Sequence, residues 1–490
     1  NWISAQIATP PSLLLAATQA DFMRYTATGE NPQFDYRNRQ AAWWKNALTA
    51  PDQLRQRVAL ALSEIFVVSD VPSMLFQNTL GLANYYDVLV RGSFGNYRQV
   101  LEEVTLSPIM GFYLSHLRNR RAVGTALPDE NYAREVMQLF SIGLNQLNPD
   151  GTLKLDALGL PIPTYDQTTI TEMAKVFTGW AYATNQTSPS FTGTPANWME
   201  PMMLYPAEHE SGTKTIVGGV VIPANQGGVQ DLKDALDALF NHANTGPFIS
   251  RQLIQRLVTS NPSPAYVYRV AQVFANNGSG VRGDLAAVTR AILMDYEARS
   301  PAIAATASFG KLKEPLLRAT ALLRAFDGSS NTGRVQYFVN IGTIESTLGQ
   351  TPLHAPTVFN FFEPDFIQPG ALANAGLFAP EYQILTDTAA ISLPNQLWNW
   401  TYANRSATNP ADTNLGFNFS SSLLALARTP QALVDQVNLV LAGGGLPRTI
   451  TDRFVTAIAA LPNNTAATDL ERVRSAIYLT VSVPQGAIQK

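Results

Sequence analysis

Asp129-Glu130-Asn131-Tyr132-Ala133-Arg134-Glu135-Val136-Met137-Gln138-Leu139-Phe140 is the stretch that sets the character of the chain. Tyr132, Val136, Leu139 and Phe140 recur at i, i+4, i+7 and i+8, the spacing that lays apolar side chains along one stripe of an α-helix. Asn131, Arg134, Glu135 and Gln138 fall on the opposite stripe. The spacing predicts a helix from about Asp129 to Ile142, with Gly143 as its stop.

The same periodicity spreads in both directions. Upstream, Leu54, Val58, Leu62 and Ile65 mark one buried face, and Thr49 followed by Asp52 resembles a capping box. Further helices are predicted over about 11–27, 39–48, 78–91 and 95–106, separated by Gly92, Gly95 and Pro108. Downstream, Asn148-Pro149-Asp150-Gly151 is a turn signal, and Thr152 to Tyr165, with Pro161 and Pro163, reads as a short hairpin and extended loop. Asp166 caps a helix that buries Ile170, Met173, Ala174 and Phe177 before Gly179 and Trp180. Residues 181–201, rich in Thr, Ser, Asn and Pro, are predicted to be a mobile surface insertion, and Thr215 to Ile222 a short β run. Helices resume over about 229–242, 247–259, 263–276, 284–295 and 310–326, and again over 381–402, 429–441, 448–460 and 466–480, around a mixed, Pro-rich stretch at 329–378. The fold class is therefore mainly α, a large multi-helix bundle with short β-hairpin excursions. One unit is expected to span 1–490, with an N-terminal bundle at 1–127, a motif-bearing segment at 128–228 and a C-terminal helical region at 229–490.

Composition narrows the function classes. The 490 residues carry 34 Lys and Arg against 37 Asp and Glu, a net charge of −3, which argues against nucleic acid as a partner. Apolar residues make up 46% and charged ones 14%, which excludes a disordered chain. Cysteine is absent, removing disulfides, thiolate nucleophiles and Cys-based metal centres together. No transmembrane segment is expected, since runs such as Val58 to Val68 are broken by Ser63 and Glu64. The chain begins at Asn1 without an initiator Met, so a leader peptide is expected to be missing from the numbered sequence. Low charge, no Cys and abundant Asn, Thr, Ser and Gln suit a periplasmic or secreted protein.

Three constellations carry candidate chemistry, and each has a structural reading beside the functional one. Nucleotide-binding, Gly-x-Ser-x-Gly and His-Glu-x-x-His signatures are missing. The four histidines, at 116, 209, 242 and 354, form no local metal pair, so no metal ligand is assigned. On the first helix, Glu135 is a candidate acid or base oriented by Arg134 with Asn131 at its flank; the alternative is an inter-helix polar network or a solvated face. Glu208-His209-Glu210-Ser211-Gly212-Thr213-Lys214 brings an acid, a base and a cation into one Gly-containing loop; the alternative is a tight turn with a structurally bonded His209 and a solvated Lys214. Leu353-His354-Ala355-Pro356 through Phe359-Asn360-Phe361-Phe362 is read as core packing before ligand stacking, and so is Trp180.

Taken in order, Asp129 to Phe140, then Ala174-Lys175-Val176-Phe177-Thr178-Gly179-Trp180, then His209 with Gly212 and Lys214, and finally Val358-Phe359-Asn360-Phe361-Phe362 resemble the bacterial domain of unknown function 1800 family (DUF1800). The resemblance runs over almost the whole chain. It implies an exported, mainly helical bacterial protein, often encoded beside a sulfatase-like protein, and it implies no particular reaction. Many members carry a His-rich segment after an aromatic stretch where this chain has Leu62 to Ser69, a departure that removes support from any metal mechanism built on those histidines. The functional expectation is a hydrolase or lyase that acts on an extracellular or envelope polymer such as a polysaccharide. Glu135, His209 and Arg134 are its catalytic candidates, and Asn131, Trp180 and Lys214 its substrate-binding candidates. The competing expectation is a non-catalytic surface, binding or assembly protein acting with a secreted partner such as the sulfatase-like protein.

Overall fold

Leu54, Val58, Ala59, Leu60, Ala61 and Leu62 are all buried in the helix Gln53–Ser63, which shows how the apolar spacing of the sequence becomes a core. The computed structural model describes residues 1–27, 35–335, 349–404, 406, 408–410 and 414–490. Twenty-three α-helices and only two-stranded sheets occur among the described residues, so the protein is mainly α. Residues 336–348 of the Pro-rich stretch lie outside the described residues.

In the N-terminal part, Leu14–Ala27, Tyr36–Thr49, Gln53–Ser63 and Thr79–Gly92 pack together. Trp43 meets Trp44 edge-on and donates its indole N–H to the Tyr86 hydroxyl at 3.0 Å. The expected Thr49–Asp52 capping box does not form. Asp52 instead accepts the backbone N–H of Ser12 at 2.9 Å and the Gln56 side chain at 3.1 Å, because a fully buried carboxylate is better satisfied by those donors. Asp87, from a neighbouring helix, accepts the N–H groups of Leu14 and Leu15 at 2.5 and 3.1 Å and so caps Leu14–Ala27.

The motif helix is shorter than its sequence pattern, Asn131–Gln138. Beyond it the N–H of Phe140 reaches back to the carbonyl of Glu135, and Gly143 takes a φ of 70°. A side chain at Gly143 would enter the ring of Phe248, so both the backbone and the packing require glycine. The following residues fold as a three-segment meander with bridges at Asn145↔Pro163, Leu147↔Leu153 and Leu155↔Pro161. Asp166 caps Gln167–Val176 by accepting from the N–H of Thr169. Two antiparallel pairs follow, Trp180–Ala181 with Met203–Leu204 and Lys214–Thr215 with Val221–Ile222.

The insertion at 181–201 is tied down rather than loose. Phe191 is buried against Tyr205, Trp198 packs edge-on against Phe112 and Tyr182, and Arg118 donates to the carbonyl of Thr194. Its few aromatic residues each find a partner, which polar composition alone does not reveal.

The C-terminal half is built from Gly228–Asn241, Thr245–Leu257, Pro264–Ala275, Leu285–Met294, Pro315–Ala325, Asp387–Tyr402, Pro430–Ala442, Arg448–Ala459 and Ala466–Ser482. The helix expected from residue 310 begins only at Pro315, whose fixed φ suits a first turn, while Lys311–Leu312 pairs with Ile488–Gln489. A buried ionic layer joins the two halves. Arg256 lies 3.6 Å from Glu64, Lys311 lies 2.8 Å from Glu381 and 3.6 Å from Glu314, and Gln350 donates to Glu314 at 2.7 Å. Burial and the adjacent Glu314 carboxylate hold the Glu64 carboxyl well above the usual range, against the pull of Arg256. One apolar cluster runs from Leu14 to Val481. None of the described helices is long and apolar enough to cross a membrane.

Candidate functional site

Glu135 sits in the middle of Asn131–Gln138, one turn beyond Asn131, and its side chain is buried. Neither structural expectation for it holds: it is not on a solvated face, and its Oε2 has no hydrogen-bond partner among the described residues. Burial raises the carboxyl above the usual range, and Arg134 only partly offsets this. Two tyrosines share the site. Tyr113 ends the helix Pro108–Tyr113, and Tyr165 directly precedes the Asp166 cap. Burial, and then the charge of Glu135, push both phenols up to about 12, so both are neutral donors near neutral pH. The Tyr165 hydroxyl is itself buried without a partner.

Other polar groups lie on and around the same helix. Arg134 reaches Glu130 at 3.5 Å, and Glu130 also accepts from Gln167 and Thr171 at 2.8 and 2.7 Å. The Asn131 side chain donates to the Ser115 hydroxyl at 3.2 Å, and Ser115 holds a φ of 61°, a left-handed conformation unusual for a residue other than glycine. Beneath the helix, His116 stacks on Tyr132 at 3.8 Å with its Nε2 2.8 Å from the carbonyl of Thr105. Complete burial depresses this imidazole to about 4, with the Thr105 carbonyl opposing the shift, so it is a neutral wall.

His209 and Lys214 meet elsewhere, on Asp231 of Gly228–Asn241. Lys214 Nζ donates to Asp231 Oδ2 at 2.6 Å and to the carbonyl of Gly212 at 3.0 Å. His209 places Nε2 3.0 Å from the same Oδ2 and Nδ1 2.8 Å from the carbonyl of Thr178. All three side chains are buried, and both ring nitrogens of His209 are engaged. Lys214 is thus not solvated. Gly179 packs on the backbone of His209 and Gly228 on its ring, where an added Cβ would lie 2.9 Å from its N and its Nδ1, respectively.

The candidates therefore divide between two places. Glu135, Arg134 and Asn131 share the helix Asn131–Gln138, and the charge of Glu135 acts on Tyr113 and Tyr165, whereas His209 and Lys214 complete a closed network with Asp231. No hydrogen bond, ion pair or ring contact joins Glu135 to His209 among the described residues. Trp180 is buried in its two-residue strand, and its indole N–H lacks a partner there. Sequence reasoning missed Tyr113, Tyr165 and Asp231. No local motif marks them, since each reaches its site from a separate element.

A family model described as a protein of unknown function (DUF1800) matches residues 1–486. The chain belongs to the DUF1800 family. No curated protein and no solved structure matches it. Membership explains why the ordered segments from Asp129 to Phe362 occur together, and it assigns them no chemistry.

Proposed function

We propose that this DUF1800 protein is a hydrolase or lyase that cleaves a polar polymer, such as a polysaccharide, in the periplasm or outside the cell. Glu135 is its acid–base residue. The observation that carries the proposal is a buried carboxyl with one unpartnered oxygen, set beside two neutral phenols of which one is also unpartnered. A group left unsatisfied in this way costs stability, a cost that is common where a side chain is kept ready for a substrate. Glu135 takes or gives the proton at the cleaved bond, Tyr165 and Tyr113 donate to the developing charge, and Arg134 and Asn131 contact polar groups of the substrate. His209 and Lys214 act as positioning residues that hold the Glu208–Lys214 loop, and the unpartnered indole N–H of Trp180 is a further donor for the substrate.

The test is product mass spectrometry after incubation with a panel of polysaccharides and cell-wall polymers. New products that disappear in Glu135→Gln and decline in Tyr165→Phe support the proposal. Products that persist in Glu135→Gln refute it.

A second reading, a non-catalytic surface or assembly protein acting with a secreted partner such as a sulfatase-like protein, draws on a different observation. The meander after the motif helix exposes Leu144, Leu153, Leu155, Leu158 and Leu160, an apolar projection of the kind found at contact surfaces. Retained capture of such a partner by Glu135→Gln and its loss in Leu158→Asp would favour this second reading.

A further inference from the structure

His354, whose sequence context suggested core packing, is only partly buried. Its Nδ1 is hydrogen-bonded to Asp70 Oδ1, and the second oxygen of Asp70 is held by Arg39. Asp70 and Arg39 are almost fully buried, whereas the imidazole keeps 22% of its surface. The backbone reinforces this pairing, since the Asp70 N–H donates to the carbonyl of Leu353 at 2.9 Å. Leu353 has a φ of 59° and Asn360 one of 68°, so two left-handed residues other than glycine flank the histidine. Conformations of this kind cost energy and collect at functional sites. Burial raises the Asp70 carboxyl, but Arg39 and His354 outweigh it and hold Asp70 below its ordinary value, ionised.

A carboxylate on Nδ1 fixes the tautomer in which Nε2 carries the free lone pair, and that nitrogen has no partner among the described residues. No other described histidine combines a carboxylate on one nitrogen with an open second nitrogen. His209 is bonded at both, and His116 is buried under Tyr132. Val71, next to Asp70 in the chain, and Phe359, five residues after His354, are exposed apolar side chains, and the tilted Phe76 and Tyr36 rings meet at 4.7 Å one helical turn before Arg39.

We propose that His354 and Asp70, anchored by Arg39, form a second acid–base site that hydrolyses carboxylic esters bearing apolar acyl or aryl groups. Nε2 of His354 takes a proton from water as the water oxygen bonds to the carbonyl carbon. The tetrahedral adduct then expels the alcohol oxygen, which receives that proton from Nε2, leaving an acid, an alcohol and the neutral imidazole. An ester suits the site better than an amide because its alkoxide leaves with the help of a single proton donor.

The experiment measures nitrophenolate release from p-nitrophenyl acetate, butyrate and octanoate by the full chain, with His354→Gln and His242→Gln alongside. Rates roughly 10²–10⁴-fold above an equal concentration of free imidazole, lost in His354→Gln and kept in His242→Gln, are expected. Asp70→Asn, as a positioning variant, lowers kcat with little change in KM. A wild-type rate equal to that of His354→Gln, or to that of free imidazole, overturns the proposal. Should His354→Gln fail to fold, ethoxycarbonylation of the wild-type protein by diethyl pyrocarbonate decides the matter. Activity must fall in proportion to His354 modification seen by peptide mass, and activity that survives complete modification overturns the proposal.

Discussion

Removing either end of the Lys214–Asp231 pair should have unequal consequences, and the inequality follows from what each loss leaves behind. Asp231→Asn leaves the Lys214 ammonium buried with only uncharged acceptors, the carbonyl of Gly212 and the new amide oxygen. Breaking a buried pair in this way costs about 3–5 kcal/mol, because an uncompensated charge stays out of water. Lys214→Met leaves Asp231 with donors from His209 at 3.0 Å and Gln226 at 3.3 Å, so the loss is closer to that of one charged hydrogen bond, about 1.5–3 kcal/mol. The double variant Lys214→Met with Asp231→Asn removes both charges. It should cost no more than Asp231→Asn alone, well short of the sum of the single losses. Urea denaturation followed by tryptophan fluorescence and circular dichroism, with unfolding rates as a second readout, gives the four values. Equal costs for the two single variants, or a double variant equal to their sum, would refute the assignment of this network to architecture. Losses below about 0.5 kcal/mol throughout would do the same, since they are typical of surface positions.

Three further outcomes are expected. His116 is held near 4 against about 6.5 when unfolded, so the unfolded chain binds this proton more tightly; the stabilisation is complete above about 6.5 and fades by about 3 kcal/mol as pH falls to 4. Titration of the four histidine rings by NMR, with His116→Asn for assignment, checks this, and a midpoint near 6.5 for His116 contradicts it. Glu135→Gln should raise stability at pH 8 by roughly 1 kcal/mol, because a carboxyl raised by burial in the folded protein carries a cost that sets in as pH climbs past its unfolded value of about 4.3 and is complete above the folded one. Melting temperatures should therefore differ between the two proteins at pH 8 and converge at pH 3, below the unfolded value. Gly228→Ala places a Cβ 2.7 Å from Leu204 Cδ1 and 2.9 Å from His209 Nδ1 and should cost roughly 1–3 kcal/mol. A displaced His209 ring resonance would accompany it, and an unchanged melting temperature would count against the tight packing of that ring.

Much of the helical architecture was legible because helical spacing is a local signal. Tyr132, Val136 and Phe140 are all buried as their periodicity implied, and Asp166 caps its helix as expected. Boundaries were less legible where tertiary demands intervened. Asp52 abandoned its cap for buried donors, and Lys311 left the expected helix for a strand pair beside Glu381. The polar stripe of the motif helix was visible, but its environment was not. Whether Glu135 faced water, an ion pair or an apolar wall depended on Tyr113 and Tyr165, which arrive from other elements.

By itself the sequence determined a mainly α, cysteine-free protein of the DUF1800 family with a near-neutral charge, since periodicity, composition and ordered motifs are properties of the chain. Only the tertiary structure decided which polar side chains are satisfied. His209 and Lys214 share Asp231, 22 and 17 residues further along, Glu135 keeps an unpartnered oxygen, and His354 finds Asp70 from 284 residues away. Hydrogen bonding and desolvation act through space over a few ångströms, and such distances are set by packing rather than by sequence spacing.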